Sequence, residues 1–451
     1  MKTLDQIAAE LQGYDPQALS APQVLDFLSR LVTPVREVRE LPLFEALGRV
    51  LAADVISPFD VPPHDNSAMD GYAFDGGQLQ TDAPLVLQVM GTALAGKAWQ
   101  GNDGPVKAGQ CVKIMTGAIM PVGLDTVVPQ EFVTLGHSGD LAHITIPPAL
   151  LRAGDNRRLR GEDLMQGKPS LQKGELLTPA RIGLAASLGL KTLTTWRPLR
   201  VAYFSTGDEI LSLGEAPREG AVYDSNRYTV FGMLSRLGCQ MIDMGVVRDD
   251  PALLEAAFTE AATQADAIIT SGGVSVGEAD HTKAMMKKLG DVAFWRIAMR
   301  PGRPMAVGRI LPIKMASSAI PASANSYVNN SNPEGAVLFG LPGNPVAVMV
   351  TFLAFVRPAL LQMMGCTEAP PPLLKARSTE EIRKKPGRTE YQRGWVSTAP
   401  DGTLQVKTTG SQGSGVLRSM AEANGLIVLH HGQGNVALGD AVDIMMFAGA
   451  I

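Results

Sequence analysis

The chain is poor in cysteine, and its few cysteines are not arranged as a site. Its 451 residues include three, Cys111, Cys239 and Cys366, which lie far apart and form no CxxC pair. This spacing excludes a disulfide framework and is typical of proteins in a reducing compartment. We therefore expect a cytoplasmic protein.

The sequence also lacks an excess of positive charge and a long hydrophobic run. Lys and Arg number 40 against 44 Asp and Glu, a net charge of −4, which argues against generic binding to nucleic acid. The most apolar run, residues 346–356, contains Thr351 and is too short to span a bilayer, so we predict a buried helix. The N-terminal segment carries regularly spaced acidic residues and predicts neither a signal peptide nor membrane association.

Glycine and proline are plentiful by comparison, with 47 and 31 residues. They imply many turns and short connections, as in mixed α/β or β-rich domains. The length suits about three domains. We predict an N-terminal region over residues 1–195 that opens with a helix over 20–32, capped by Ser20. Short strands between Gly/Pro turns follow, with a β-rich insertion at about 65–155.

A different rhythm begins near residue 198. Apolar segments such as VAYFS, QMIDMGVV, DAIIT and AVLFGL alternate with helical patterns. This alternation predicts a doubly wound, mainly parallel α/β domain over residues 196–366. The carboxyl ends of its strands should share one edge of the sheet, where ligands bind in such folds. Beyond three prolines at 370–372, short strands predict a small C-terminal β-barrel or sandwich over residues 370–451.

Loops rich in small residues follow three of the predicted strands. Small residues let backbone N–H groups approach an anion closely, and a helix N-terminus adds a favourable dipole. Asn344 is placed to cap a helix that starts at Pro345, which would leave N–H groups pointing outward. One such loop alone is most simply a tight turn, but three on one sheet edge predict a phosphate or oxyanion site. The candidate residues are Ser205, Thr206, Gly207, Ser271, Gly272, Gly273, Ser275, Pro342, Gly343 and Asn344.

Carboxylates occur in or beside the same loops. Glu209, Asp249 and Asp280 offer hard oxygen ligands, which suit Mg²⁺ bridging a phosphate and one or two protein carboxylates. For Asp249 an alternative stays open, in which it and Asp250 cap the helix beginning at Pro251. These three acids are candidate metal ligands and catalytic groups.

Arginines supply the opposite charge. Arg296, Arg300 and Arg303 lie in WRIAMRPGRP, where the Pro-Gly pair predicts a turn between two strands that brings the last two together. Guanidinium groups bind tetrahedral oxyanions in bidentate fashion. We predict an oxyanion-binding role, with a solvated hairpin tip as the alternative.

Several other segments have no definite meaning from the local pattern. Residues 313–335 are rich in Ser, Asn and Ala and separate two strands expected to be neighbours, so they form either a functional lid or a plain insertion. Asp70-Gly71 is an ordinary turn dipeptide, and the Arg-rich run at 157–163 is typical of a surface ion-pair network. Gly273 to Gly277 matches a nucleophile elbow in letters, but Ser275 lies five residues beyond the strand and no Asp–His pair is evident.

Taken together, several motifs resemble one family over nearly the whole chain. They are PPHDNSAMDGYA, MTGA, RGEDL, FSTGDEI, YDSNR, TSGGVSVGEADHTK, RPGRP, LPGNP and GRTEYQRG, in this order. The chain resembles the molybdopterin molybdenumtransferases, which are related to the eukaryotic protein gephyrin. SGGVSVGEAD together with NSAMDGYA is highly specific for them, whereas LPGNP alone is not.

The resemblance implies a two-lobed N-terminal region, a molybdopterin-binding α/β domain and a C-terminal β-barrel in a homodimer. The implied reaction converts adenylylated molybdopterin and molybdate, with Mg²⁺, to molybdenum cofactor and AMP. Glu209, Asp249 and Asp280 would lie near Mg²⁺ and the adenylate, and Arg296 and Arg300 would hold molybdate or phosphate where the family often has lysines. Across the dimer interface the implied site gains Asp70, Thr116, Arg158 and Asp163, with Ser414 from a polar C-terminal loop.

Three other functions are weighed against this one. A molybdopterin adenylyltransferase would accumulate adenylate from ATP and molybdopterin instead of consuming it. A gephyrin-like binding scaffold would need partners, and no long linker or added domain is evident. A serine hydrolase would react with a fluorophosphonate probe. We expect no nucleic acid partner, and interactions with the molybdopterin adenylyltransferase and with molybdoenzyme chaperones are further hypotheses.

Overall fold

The computed structural model describes residues 2–101, 104–274, 281–312 and 335–447. Ser275, Asp280 and nearly all of the 313–335 segment lie outside the described residues, so the predictions made for them stay predictions. The chain forms two compact units. Unit 1 comprises Met1–Ala53, Gly174–Pro179 and Thr192–Ile451, and unit 2 comprises Asp54–Lys173 and Ala180–Lys191.

Unit 1 begins with two helices whose ends are set by local sequence. Thr3 and Gln6 form a capping box at the first, and Gln23 accepts a hydrogen bond from the Ser20 N–H at 2.9 Å at the second. The second helix buries Phe27 and its apolar neighbours in the main core of unit 1, and the helix predicted over 20–32 is confirmed. The elements are α1 (Leu4–Glu10), α2 (Ala21–Leu31), β1 (Val38–Pro42) and α3 (Leu43–Ala46).

Unit 2 is β-rich, as predicted for the N-terminal region. Its main sheet has six strands in the order β7-β4-β6-β5-β9-β8, and two short antiparallel pairs, β10–β3 and β11–β2, accompany it. Buried apolar side chains cover both faces of the main sheet. The elements are β2 (Val55–Ile56), β3 (Asn66–Ser67), β4 (Gly71–Phe74), β5 (Leu85–Ala93), β6 (Gln110–Ile114), β7 (Thr126–Pro129), β8 (Thr134–Ser138), β9 (Leu141–Ile146), β10 (Arg157–Arg158), β11 (Pro169–Leu171), short 3₁₀ turns at Gly76–Gln78 and Gln130–Phe132, and α4 (Pro179–Ser187).

The centre of unit 1 is the predicted α/β domain. Its elements are β12 (Thr192–Trp196), which pairs with β1, then β13 (Arg200–Thr206), β14 (Ile210–Leu211), β15 (Val222–Tyr223), α5 (Ser225–Arg236), β16 (Gln240–Val247), α6 (Pro251–Gln264), β17 (Ala267–Ser271), α7 (His281–Leu289), β18 (Gly290–Arg296), β19 (Met299–Arg300), β20 (Pro304–Ile310), β21 (Ala336–Leu341), α8 (Pro345–Thr351) and α9 (Arg357–Met363).

The central sheet is mainly parallel, as predicted. Its strand order is β16-β13-β17-β21-β20-β18, with the first four strands parallel. The last two are antiparallel to their neighbours. The short RPGRP segment between β18 and β20 allows only an antiparallel pair, because a parallel pair needs a long crossover. Alternate residues of β13 enter two different apolar clusters, so both faces of the sheet are buried.

The apolar run after Asn344 forms a helix longer than predicted. A π-helical turn, Phe352–Val356, joins α8 to α9, and the helical stretch Pro345–Met363 has 19 residues with a mean hydropathy of 1.8. Its length and composition would suffice to cross a bilayer, yet 78% of its most apolar window is buried inside the protein. Phe352 and Phe355 pack in the core of unit 1, and the predicted buried helix is confirmed.

The C-terminal part of unit 1 is a closed five-stranded barrel, as predicted. The strands run in the order β23-β24-β22-β26-β25, and β25 pairs again with β23 to close the ring. The short β19 joins β23 in parallel, with Arg300 opposite Glu390. The elements are β22 (Leu374–Ser378), β23 (Thr389–Thr398), β24 (Leu404–Thr408), α10 (Arg418–Ala421), β25 (Gly425–Leu429) and β26 (Ala441–Met446). The division of the chain into 1–195, 196–366 and 370–451 stays a prediction.

Candidate active site

The three glycine-bearing loops begin at the carboxyl ends of β13, β17 and β21, which are neighbours in the sheet. Gly272 has a φ of +92°, and a Cβ there would lie 2.4 Å from the carbonyl oxygen of Thr206. Gly273 has a φ of +64°, and its Cβ would lie 2.6 Å from the side chain of Thr282. Only glycine fits this conformation and spacing, so these loops approach one another through bare backbone.

These loops share one cavity of about 1150 Å³ with residues from the barrel and the RPGRP segment. The volume is at the upper end for a site that takes a substantial small-molecule ligand. Thirteen of the residues singled out in the sequence line it, and the convergence predicted for them is observed, although their roles stay predictions. They are Thr206, Gly207, Glu209, Asp249, Ser271, Gly272, Gly273, Arg300, Arg303, Pro342, Gly343, Asn344 and Ser414.

Two predicted residues of unit 1, Ser205 and Arg296, do not line this cavity. Ser205 is buried in a hydroxyl network, in which its Oγ lies 2.8 Å from the Tyr203 hydroxyl and 3.2 Å from the Ser271 Oγ. Burial raises the pKa of Tyr203, so this network stays protonated and neutral. Arg296 ends β18, where its N–H donates to the Pro16 carbonyl at 2.8 Å, and it is not among the described residues that line the cavity.

The adjacent acids after β16 have different positions. Asp250 is the N-cap of α6 and accepts hydrogen bonds from the N–H groups of Ala252 and Leu253, both at 2.9 Å. Asp249 lines the cavity together with Glu209. The capping alternative therefore applies to Asp250.

The acidic side chains of the cavity are the candidate ligands for a metal ion. Within the described part of the chain, no group of three or more His, Cys, Asp or Glu side chains is placed to share a metal. Glu209 and Asp249 are two of the carboxylates that line the cavity. That set fits Mg²⁺, which usually keeps several waters and takes one or two carboxylates plus substrate phosphates.

Positive charge comes from the RPGRP segment and from the barrel. Arg300 and Arg303 line the cavity on either side of the turn, and Arg388 joins them from the segment before β23. The Arg388 guanidinium contacts the Glu390 carboxylate at 2.7 Å, and that carboxylate is buried. This ion pair orients Arg388. Arg300 and Arg303 lie in the turn for which an oxyanion-binding role is predicted.

The Ser414 loop is held by a buried arginine that sequence analysis did not identify. Arg393, 1% exposed, donates from Nη2 to the carbonyl oxygens of Gly413 at 2.9 Å and Ser411 at 3.2 Å. Its Nε donates to the Ser419 hydroxyl at 3.0 Å. Burial lowers the pKa of Arg393 to about 10, with a smaller contribution from Arg300. Arg393 thus fixes the loop on which Ser414 lies.

One detail of the predicted anion site is wrong. The helix beginning at Pro345 was expected to leave its first N–H groups pointing outward. Instead, the Val346 N–H donates to the carbonyl oxygen of Ser414 at 3.1 Å, and the Asn344 side chain makes no capping hydrogen bond. The barrel loop therefore occupies part of this helix terminus.

Further residues in the cavity wall were not singled out as site residues, although Asp224, Asn226 and Arg388 lie in the quoted YDSNR and GRTEYQRG motifs. Asp224 and Asn226 flank the start of α5, and Arg388 and Gln412 come from the barrel. The Asp-Ser pair before a helical pattern is an N-cap signal that could have placed Asp224 at a helix start. The motif around Arg388 does not by itself show which way that side chain faces, and the local sequence around Gln412 has no comparable signal.

The predicted residues of unit 2 are all exposed. Asp70 accepts hydrogen bonds from the Thr116 N–H and hydroxyl, both at 2.7 Å, which hold the pKa of Asp70 below its ordinary value. Arg158 donates to Glu162 at 2.6 Å, an ion pair of the kind expected from the Arg-rich run. Asp163 is exposed and donates its N–H to the Val61 carbonyl at 3.0 Å.

Family comparisons agree with this architecture along the chain. The MoeA N-terminal region (domain I and II) matches residues 19–189. A probable molybdopterin binding domain matches residues 202–362, and the MoeA C-terminal region (domain IV) matches residues 375–447. The three matches follow the order of the β-rich, α/β and barrel parts.

Individual relatives are similar over most of their length. A protein named molybdopterin molybdenumtransferase from Haemophilus influenzae is 40% identical over 408 residues, covering 90% of this chain and 93% of that one. One of the same name from Nostoc sp. is 34% identical over 409 residues, covering 89% and 87%. The crystal structure of a molybdopterin biosynthesis moeA protein from Pyrococcus horikoshii covers 95% of this chain and 100% of that chain at 25% identity, with a TM-score of 0.72.

Proposed function

The chain belongs to the molybdopterin molybdenumtransferases, enzymes of molybdenum cofactor biosynthesis, and from this premise we propose that its cavity binds adenylylated molybdopterin and molybdate together. The products of the proposed reaction are molybdenum cofactor and AMP. Relatives named for this transfer cover most of the chain, so the adenylyltransferase and the scaffold are not favoured.

One observation supports the proposal above the others. Three glycine-bearing loops, the RPGRP arginines and the carboxylates of Glu209 and Asp249 are among the groups that line a single cavity. A substrate pair with a pyrophosphate and a metal oxyanion needs this combination, because each anion requires donors and cations while a bridging Mg²⁺ requires hard oxygen ligands.

The residues of the cavity have distinct proposed tasks. Backbone N–H groups of the loops that follow β17 and β21 would bind phosphate oxygens, as small residues allow close approach. The Gly272 N–H is not one of these donors, because it donates to the Leu341 carbonyl oxygen at 3.2 Å. Arg300 and Arg303 would hold molybdate or phosphate, and the Ser414 hydroxyl would help position it. Because these donors are fixed by the fold, they would stabilise developing negative charge without reorganisation.

Glu209 and Asp249 are proposed to hold Mg²⁺, and the family resemblance adds Asp280 to the same set. The ion, when bound, supplies positive charge that polarises phosphoryl oxygens. The two carboxylates would hold the ion, since they would repel the pyrophosphate directly, and the loop N–H groups would bind the pyrophosphate oxygens. The arginines keep the second oxyanion within reach of the pterin dithiolene.

The test is the complete reaction. Purified protein, adenylylated molybdopterin, molybdate and Mg²⁺ are mixed, and AMP release and active cofactor are measured. We expect both products, and a loss of both when a chelator removes Mg²⁺. The variant Glu209→Gln should slow AMP release about a hundredfold. Glu219→Gln, which makes the same change outside the cavity, should not. Absence of AMP with the wild-type protein would contradict the proposed function.

The residues of unit 2 have a proposed role that depends on a homodimer. By family resemblance, Asp70, Thr116, Arg158 and Asp163 would complete the cavity of the partner copy. We therefore propose a cytoplasmic homodimer, with the molybdopterin adenylyltransferase and molybdoenzyme chaperones as protein partners. Analytical ultracentrifugation should give twice the mass of the chain, and a monomer at micromolar concentration would contradict the dimer.

A further inference from the structure

Three buried oxygen atoms in the cavity wall lack hydrogen-bond partners among the described residues. They are the Thr206 hydroxyl, Oδ2 of Asp224 and Oδ1 of Asn226. All three residues line the cavity, and their exposed fractions are 3%, 3% and 8%. An unpaired buried polar group is costly, and more so when it is charged. Such a cluster at a ligand cavity indicates a ligand that donates hydrogen bonds.

Neighbouring contacts fix which atoms are left over. Asp224 is the N-cap of α5, and its Oδ1 accepts a hydrogen bond from the Arg227 N–H at 3.1 Å, which leaves Oδ2. The Asn226 Nδ2 donates to the Gly343 carbonyl oxygen at 2.7 Å. Since only the nitrogen of that amide can donate, Oδ1 is the remaining atom. Two of the three oxygens therefore only accept hydrogen bonds.

The three oxygens lie among the loops proposed to bind phosphate. Asn226 is bonded to Gly343 of one loop, and Thr206 starts another and lies against Gly272 of the third. The matching donors on the ligand should therefore lie close to its phosphate. In an adenylate the ribose hydroxyls meet this condition, whereas the amino edge of a pterin is separated from the phosphate by the fused rings.

We propose that Asp224 and Asn226 bind the ribose hydroxyls of the adenylate, with the Thr206 hydroxyl completing the contact. Carboxylates recognise ribose hydroxyls in this way in dinucleotide-binding folds. This inference rests on the proposed function, because it assumes that the ligand is an adenylate. It assigns to the start of α5 the recognition of the nucleotide half of the substrate.

The test compares two nucleotides on the same protein. Calorimetric titrations in Mg²⁺ buffer measure the affinities for AMP and for 2′,3′-dideoxyadenosine monophosphate, which lacks both hydroxyls. The wild-type protein should bind AMP about tenfold more tightly, since a hydrogen bond to a charged group contributes at least this much. Asp224→Ser should reduce the ratio to about one, whereas Asp208→Ser, the same change on an acid outside the cavity wall, should keep it.

The serine variant is chosen to preserve the fold, because Ser is as good an N-cap as Asp. Thermal unfolding checks this, and Asp224→Asn, which also retains the cap, replaces it if the serine variant is unfolded. A ratio that survives both substitutions, or a wild-type protein that binds the two nucleotides equally or binds neither, overturns the inference. Binding of 6-hydroxymethylpterin is measured in the same way. A variant that weakens only the binding of this pterin also overturns the inference, because it would assign the three oxygens to the pterin. If the wild-type protein still releases AMP in the complete reaction, only the ribose contact is wrong. If it releases none, the proposed function itself fails.

Discussion

Asp249 and Asp250 are neighbours in sequence, and we predict that substitutions at the two positions have opposite consequences. Asp250 caps α6 with two hydrogen bonds, whereas Asp249 lines the cavity. Asp250→Ala removes the cap and should lower the free energy of unfolding by about 1 kcal/mol. In a unit of this size that corresponds to a fall in Tm of about 1–2 °C. AMP release should stay near the wild-type rate, because the cap does not contact the cavity.

Asp249→Asn should do the reverse. The side chain is exposed and the change is isosteric, so the free energy of unfolding should change by less than about 0.5 kcal/mol. The amide has no negative charge for Mg²⁺, and AMP release should fall about a hundredfold. Part of this loss should be recovered at high Mg²⁺ concentration, because the remaining ligands bind the ion more weakly.

The assay follows single turnovers of adenylylated molybdopterin by the AMP released, with differential scanning fluorimetry on the same preparations. Both variants are compared at equal protein concentration and across a range of Mg²⁺. If Asp249→Asn releases AMP at the wild-type rate, or if Asp250→Ala is the slower variant, the assignment of the two carboxylates is refuted. Equal losses in both variants would refute it as well.

Two further predictions concern the glycine loops and unit 2. Gly272→Ala should lower the free energy of unfolding by about 1–3 kcal/mol more than the matched control Gly214→Ala, and it should also lower AMP release. Both glycines have a φ of +92°, but only a Cβ at Gly272 would clash with the Thr206 carbonyl oxygen. Thermal unfolding of the pair measures the difference, and equal losses would show that contact is not the cause. Thr116→Val removes the hydroxyl that donates one of the two hydrogen bonds lowering the pKa of Asp70. This bond contributes less than the one from the Thr116 N–H, so the pKa of Asp70 should rise only part of the way toward 3.8. A carboxyl pKa that is lower in the folded than in the unfolded state stabilises the fold above the unfolded-state pKa, and this stabilisation is lost as the pH falls through the folded-state pKa. The stability of the variant should therefore differ from that of the wild type only above this acid range. An NMR titration in which the Asp70 pKa stays unchanged would contradict the prediction.

Much of the fold could be predicted because its signals are local. Ser20 and Pro22 mark a helix start, and the apolar segments VAYFS, DAIIT and AVLFGL alternate with helical patterns. A general rule of topology then places the carboxyl ends of parallel strands on one edge of the sheet. The loops at Gly207, Gly272 and Gly343 were therefore expected to meet, and they line one cavity.

What only the tertiary structure decided concerns the direction of side chains and the contribution of distant segments. Ser205 and Thr206 are consecutive in β13, yet successive side chains of a strand point to opposite faces, so Ser205 enters the buried hydroxyl network and Thr206 lines the cavity. Arg388 and Arg393 reach the site because the barrel pairs β19 with β23, a contact between segments about 90 residues apart. Local sequence patterns do not predict such pairings, because the free energy that favours them comes from burying the surfaces of the two segments against each other in the folded chain.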